Sequence, residues 1–150
     1  MLHDERTTTT IDRDTFTITF RRTLGAPREL VFEAWTSAEH VVHWWDPSGV
    51  RLAECAIDLR LGGRFRFANA GHAHSPPFEG EYTKIDAPSE LQFLAMGAAG
   101  TVRLEVAGTG TSMTVTIRCA NAEHLAKFVE LGVADGTART LENLAAHLAR

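Results

Sequence analysis

From Thr15 the chain alternates strictly, with Phe16, Ile18 and Phe20 on one side and Thr17, Thr19 and Arg21 on the other. That period of two predicts a half-buried strand. Gly25-Ala26-Pro27 ends it, and Pro27 suits the first turn of a helix whose apolar side carries Leu30, Val31, Ala34 and Trp35. Ser37 can cap a second short helix bearing Val41, Trp44 and Trp45, which stops before Pro47. Strands follow almost without relief. Residues 50–57 form the first, with ambiguous facing. After Leu61-Gly62-Gly63, Phe65 and Phe67 alternate with Arg64 and Arg66, and later Phe78, Gly80 and Tyr82 alternate with Glu79, Glu81 and Thr83. Ala87-Pro88-Ser89 turns the chain into a strand over 91–96 that carries Phe93, and Gly97-Ala98-Ala99-Gly100 is expected to turn it again. Val102, Leu104 and Val106 follow, then a Gly108-Thr109-Gly110 hairpin and Met113, Val115 and Ile117. Connections this short imply antiparallel neighbours.

Residues 121–150 read as one unbroken helix of roughly 40 Å, given 1.5 Å per residue, no proline and frequent alanine and leucine. Asn121 is its expected N-cap. The apolar positions drift along it. Leu125, Phe128, Val129 and Gly132 share one stripe, whereas Val133, Leu141, Leu144 and Leu148 lie on another, rotated by about a quarter turn at 100° per residue. Gly132 and Gly136 stand between the halves, each about 1 kcal/mol less favourable in a helix than alanine. They serve either close packing or a bend, or they face open space. On the last reading a Phe at position 132 would fill that space without straining the helix.

The order is an α+β one: strand, two short helices, six strands, long helix. Seven strands about 4.8 Å apart make a sheet roughly 30 Å wide, against about 10–12 Å for a helix with its side chains. One helix cannot cover the apolar face of a flat sheet that wide. A strongly curved antiparallel sheet wrapped around the helix can, and it leaves a cavity between the two. That geometry favours a small-molecule pocket.

At 150 residues, without repeat or linker, the chain reads as a flexible tail over 1–13 and a single domain over 14–150. A formal charge of −4 gives no electrostatic reason to expect nucleic acid or an anionic membrane as partner. No stretch has the length of a membrane span or the apolar core of a signal peptide. Cys55 and Cys119 have no metal or redox spacing and read as small core residues of a reduced, cytoplasmic protein.

Several segments together resemble a known family. Residues 26–36 (Ala26-Pro27-Arg28 through Ala34-Trp35-Thr36) look like its first helix, and His43-Trp44-Trp45-Asp46-Pro47 like its Trp-Trp-x-Pro segment. The run Asp58-Leu59-Arg60-Leu61-Gly62-Gly63-Arg64-Phe65 resembles its Asp-x-Arg-x-Gly-Gly-x-Phe turn, and Gly80-Glu81-Tyr82 its Gly-x-Tyr strand. Gly132 and Gly136 fall where its last helix carries paired glycines. The family is the START-like (SRPBCC) group named for the activator of heat-shock protein 90 ATPase, and the match runs from about Thr15 to the C-terminus. The resemblance implies the helix-grip fold of the birch-pollen allergen and a hydrophobic ligand cavity between sheet and last helix. It does not imply one activity, since relatives include lipid carriers and polyketide cyclases. Where the family often has Trp after the second glycine, this chain has Thr137.

The expected ligand-binding residues are Trp45, Phe67, Phe78, Tyr82, Phe93, Phe128, Gly132, Asp135 and Gly136. Aromatics on strand faces serve equally as ordinary core. Tyr82 can offer a hydroxyl from an apolar wall, and Trp45 is a lid or an anchor for its helix. Asp135 is either a polar group at the rim or half of an exposed ion pair with Arg139. His72 and His74 could share a metal, but no third ligand stands at a fixed spacing, so neither metal nor cofactor is expected. No nucleophile elbow, phosphate loop or dinucleotide fingerprint occurs. The leading expectation is therefore a binder of a small hydrophobic or amphipathic molecule without evident catalysis. A cyclase- or hydrolase-type enzyme using Tyr82 and Asp135 is the alternative, and a co-chaperone-like module is the second. A homodimer stays open, and a chaperone partner is not expected because the polar sheet face offers no docking patch.

Overall fold

The computed structural model describes residues 6–70 and 76–150. Eight strands form one antiparallel sheet in the order β1-β2-β8-β7-β6-β5-β4-β3. They are β1 (Thr8–Asp12), β2 (Thr17–Leu24), β3 (Glu54–Ile57), β4 (Arg64–Ala68), β5 (Phe78–Asp86), β6 (Glu90–Ala95), β7 (Ala98–Ala107) and β8 (Gly110–Arg118). Helices α1 (Arg28–Thr36) and α2 (Ala38–Trp44) follow β2, and α3 (Ala122–Glu130) and α4 (Val133–Leu148) close the chain. The sheet curves without closing, and its concave face and the helices bury the core: Ile18 and Phe20 of β2, Val102 and Leu104 of β7, Met113 and Val115 of β8, Val31 of α1, and Leu141 and Leu144 of α4.

The alternation read from sequence is what the sheet uses. Phe65, Phe67 and Tyr82 are buried between exposed or half-exposed Arg64, Arg66 and Glu81. The outer face is laced by exposed pairs such as Arg66 with Glu54 and Glu79, at 3.1 and 2.9 Å. Pairs this exposed contribute little each to stability.

Four details differ from the sequence reading. The stretch read as a tail supplies β1, paired along its length with β2 and tied to α4 where Thr7 N–H and Oγ1 both donate to Glu142 Oε2. On α1, Phe32 is buried and Leu30 is 50% exposed, so the helix is rotated relative to the expected stripe. The turn expected over 97–100 falls at Met96-Gly97 instead, and Ala98 to Gly100 belong to β7. Most consequential, residues 121–150 are two helices. Asn121 caps α3 as expected, its side chain accepting from His124 N–H at 2.9 Å. The helix then stops at Leu131, and Gly132 takes φ +80° before α4 begins. The left-handed region costs a non-glycine residue about 1–2 kcal/mol, which explains a glycine here better than any neighbour does. A Cβ at position 132 would meet nothing within 4 Å.

Candidate functional site

The concave face divides into a filled end and a hollow end. Over β4 and β5, Phe65, Phe67, Phe78 and Tyr82 form one ring cluster, which Trp45 at the end of α2 joins through Phe67 and Phe78; ring centroids are 4.9 Å apart for Trp45 and Phe67 and 5.2 Å for Phe65 and Tyr82. Only about 20 Å³ is left empty among them. Two glycines let the rings lie flat on the sheet. Gly80 is paired with Phe65 and Gly100 with Phe93, and a Cβ on either would sit 2.4 Å from the partner ring. Glycine is required there by close approach, not by backbone angle.

Next to this cluster lies a cavity of about 300 Å³, at the small end of small-molecule pockets. Its sheet wall is Phe93, Ala95, Ala98, Gly100, Val115 and Ile117, and its helix wall Phe128, Val133, Gly136, Thr137, Thr140 and Leu141. Trp35, Trp45, Pro47, Asn69 and Phe78 complete it, with Met96 beside them. Met96 is 58% exposed, so the lining reaches the surface at the β6–β7 turn. Met96 (φ +53°) and Gly97 (φ +77°) make that turn tight, and His124 holds it to α3. The ring's Nδ1 accepts from Ala120 N–H at 3.0 Å, which leaves the proton on Nε2 to donate to Met96 O at 3.1 Å. The same ring meets Phe128 edge-on at 4.5 Å.

The opposite end is set by polar ties. Asp46 is only 4% exposed, and a carboxylate so placed needs partners to remain there. Its Oδ1 accepts from Ser48 N–H and Oγ at 2.8 and 2.7 Å, and its Oδ2 from Asn69 Nδ2 at 2.8 Å. From α4, Thr140 Oγ1 donates to Trp45 O at 3.0 Å and Asn143 Nδ2 to Asp46 O at 2.9 Å. These bonds fix Trp45 and Pro47 against the cavity. Asp46 had no role in the sequence reading beyond its place in the Trp-Trp segment.

Of the residues expected from sequence, the cavity brings together Trp45, Phe78, Phe93, Phe128 and Gly136. Phe67 and Tyr82 line only the small void. Burial pushes the Tyr82 phenol well above its ordinary pKa, with a further push from Cys55 beside it. Gly132 and Asp135 are exposed and line neither space. No ion pair joins Asp135 to Arg139, and the Tyr82–Asp135 pair of the enzymatic alternative is not assembled around the cavity. Gly136 does face open space, since a Cβ there would meet only Pro47 Cγ at 3.9 Å. Thr137, where the family often has Trp, is a wall residue and leaves room. The sequence reading missed Trp35, assigned to plain core, and Ala98 and Gly100, assigned to a turn; the run Ala98-Ala99-Gly100-Thr101 holds only small side chains and shows no alternation from which a strand face could be read. His72 and His74 lie outside the described residues.

No described lining residue is ionisable. The polar side chains of the lining are the Asn69 amide, the Thr137 and Thr140 hydroxyls and the Trp35 and Trp45 indoles. The Trp35 indole nitrogen is itself buried and has no acceptor in the protein. A buried donor left unpaired costs about 1–3 kcal/mol. Among the described residues no cluster of three or more His, Cys, Asp or Glu could hold a metal ion, and no helix is long and apolar enough to cross a membrane.

Comparison with solved structures finds the same helix-grip architecture repeatedly. Protein Ms6760 from Mycobacterium smegmatis superposes with a TM-score of 0.82 at 20% identity, over 93% of this chain and 95% of that one. A protein from Arthrobacter aurescens gives 0.84 at 20% identity over 95% and 91%. The AHSA1-like protein from Aeromonas hydrophila gives 0.74 at 22% identity over 89% and 92%. At such identities the likeness concerns the fold alone. No curated protein matches the sequence. The family model described as activator of Hsp90 ATPase homolog 1-like protein matches residues 25–149, and the chain belongs to that family, within the START-like (SRPBCC) fold.

Proposed function

We propose that the protein binds a small hydrophobic or amphipathic molecule in the cavity between β6–β8 and the α3–α4 pair, and that it does so without chemistry of its own. One observation carries this reading: a cavity of about 300 Å³ whose described lining is apolar or neutral throughout. An apolar wall favours ligands that lose water on entry, at about 25 cal/mol per Å² of apolar surface removed from solvent. A positioned acid or base is what a proton-transfer mechanism needs, and the described wall offers none. The partner is thus the small molecule itself, not nucleic acid or a chaperone. Cys55 and Cys119 are both free, and burial pushes the Cys55 thiol up to about 11, so both behave as inert thiols suited to the cytoplasm.

Native mass spectrometry of gently purified protein, followed by thermal-shift screening against lipids and neutral aromatics, tests the proposal. A co-purifying small molecule, or a rise in Tm with members of one class, is the expected result. A clean apo spectrum with no shift across the library would contradict it. Turnover of a bound compound that survives both Tyr82→Phe and Asp135→Asn would instead point to an enzyme whose acting groups lie elsewhere.

A further inference from the structure

Three histidines meet where α2 packs on α4. His40 and His43 stand one turn apart on α2, and His147 reaches them from the last turn of α4. His40 Nδ1 and His147 Nε2 lie 2.8 Å apart, with the rings edge to face at 5.1 Å between centroids. The His43 ring stacks on His147 at 5.9 Å. The other His147 nitrogen, Nδ1, is buried and meets no partner in the protein. Stacked rings aim their in-plane lone pairs in parallel, so His43 and His147 do not converge on one metal ion, and no described group of three ligands does. The cluster is built to respond to protons instead.

Two imidazole nitrogens in such contact hold one hydrogen between them, since one donates and the other accepts. The neutral pair meets that condition. One added proton also fits, on His40, whose Nε2 faces Glu33 Oε2 of α1 at 3.5 Å, a carboxylate that favours the charge. A proton on His147 as well does not fit, because two N–H groups would then face each other. Nothing around His147 offsets its charge. Burial first, then His40 and His43 on α2 and Arg150 at the chain's end, hold its pKa below the ordinary 6.5. The remaining charges of the neighbouring elements are placed elsewhere. Glu39 and Arg51 share a surface recess with His43, and Arg22 of β2 pairs with Glu142, five residues earlier on α4.

The histidines form one end of the seam between α2 and α4. Further along it, Thr140 and Asn143 bind the backbone oxygens of Trp45 and Asp46, and neither bond titrates. We propose that the His40–His147 contact is an acid-sensitive latch: when His147 takes up a proton the contact opens, and the last turn of α4 comes away from α2 while Thr140 and Asn143 keep the middle of the helix in place. The device sets how firmly the helix wall of the hollow is held, and it displaces no lining residue. The sign follows from the lowered folded-state value: the open or unfolded chain takes up the proton first, so stability is lost as pH falls below about 6.5 and the loss levels off below the folded value.

Histidine ring shifts in ¹H–¹³C spectra of the full-length protein, followed from pH 8 to pH 4.5, give the first test. His147 should titrate below 6.5 and move up in His40→Gln, whose amide oxygen can accept from a protonated ring. Amide exchange, corrected for its intrinsic pH dependence, reads the opening itself. Protection at residues 144–149 should fall about tenfold between pH 7.5 and pH 5, roughly the loss of one hydrogen bond, with β7 and β8 unchanged. In His147→Gln this pH dependence should vanish. A His147 midpoint at or above 6.5, or equal protection at the two pH values, overturns the latch, and both are read on the unmutated protein if the variant does not fold. A folded His147→Gln that keeps the pH dependence overturns it too, because another group then opens the seam.

Discussion

The two ends of the concave face are built on one sheet with one curvature, yet one is solid and the other hollow. Over β4 and β5 the inward positions are Phe65, Phe67, Phe78 and Tyr82; over β6–β8 they include Ala95, Ala98, Gly100 and Val115. Side-chain volume, not backbone shape, decides where about 20 Å³ remains and where about 300 Å³ does. The opposing helix elements differ in the same sense. Trp45 plugs the solid end, whereas Gly136 and Thr137 stand back from the hollow one. Holding them differs too: rings in contact bind the solid end, while α4 is fastened at its margins by Thr140, Asn143 and Glu142.

The largest expected effect lies in the solid end. In Gly80→Ala the new methyl would sit 2.4 Å from Phe65 Cζ and 2.5 Å from Leu94 O, and the second of these is backbone that cannot step aside. A loss of about 3 kcal/mol is expected in urea unfolding, at the upper end for overpacked cores. A loss under 1 kcal/mol would mean that this end is looser than described.

The paired helix glycines come next, and they should move in opposite directions. Gly132→Ala forces alanine to φ +80° and should cost about 1–2 kcal/mol, although the site is open. Gly136→Ala adds a methyl to a helix interior beside empty space and should gain about 1 kcal/mol. Matching signs in the two unfolding curves would contradict the different reasons given for the two glycines.

Gly100→Ala is the hollow end's counterpart of Gly80→Ala, with a smaller effect. The three atoms nearest its methyl all belong to the Phe93 ring, which borders open space and can swing into it. Stability should change by less than about 1 kcal/mol, since the nearest atoms belong to a side chain with room to move rather than to backbone. Ligand affinity should fall, because the displaced ring occupies the cavity. Calorimetry alongside melting separates the two readouts, and a variant as unstable as Gly80→Ala would erase the distinction between the ends.

The smallest effect concerns acid. Burial pushes the Glu142 carboxyl up, but hydrogen bonds from Thr7 and Arg22 outweigh it and hold the pKa below the ordinary value. A depressed carboxyl adds stability that is present above the unfolded-state pKa and is lost as pH falls through the folded one. Tm measured from pH 7 to pH 3 should therefore drop less in Glu142→Gln than in the unmutated protein, from a lower starting point. Parallel curves would show that the tie between β1, β2 and α4 carries no such term.

Much of the solid end was legible in the sequence, because alternation is strict where a strand has one wet face, as in Arg64-Phe65-Arg66-Phe67. The curvature and the cavity followed from the width of an apolar face that one helix cannot cover. The helix break at Gly132 was visible only through its consequence, the quarter-turn rotation between the stripes of Leu125 and Phe128 and of Leu141 and Leu144. Glycine has the same letter whether it relaxes a backbone angle or clears a space, and only φ separates Gly132 from Gly136. β1 was hidden for a different reason. Thr8 to Thr10 are exposed on both faces, so no apolar period exists to betray a strand that pairs at the sheet's edge.

The central claim is that the hollow end receives a ligand and the solid end does not. Backbone ¹H–¹⁵N shifts followed during titration with 2-acetylnaphthalene test it most directly. The account predicts saturable shifts at Ala98, Gly100, Phe128 and Gly136, with Phe65, Phe67 and Gly80 nearly unmoved. Shifts centred on Phe65 and Gly80, or scattered over the outer face of the sheet, would contradict it.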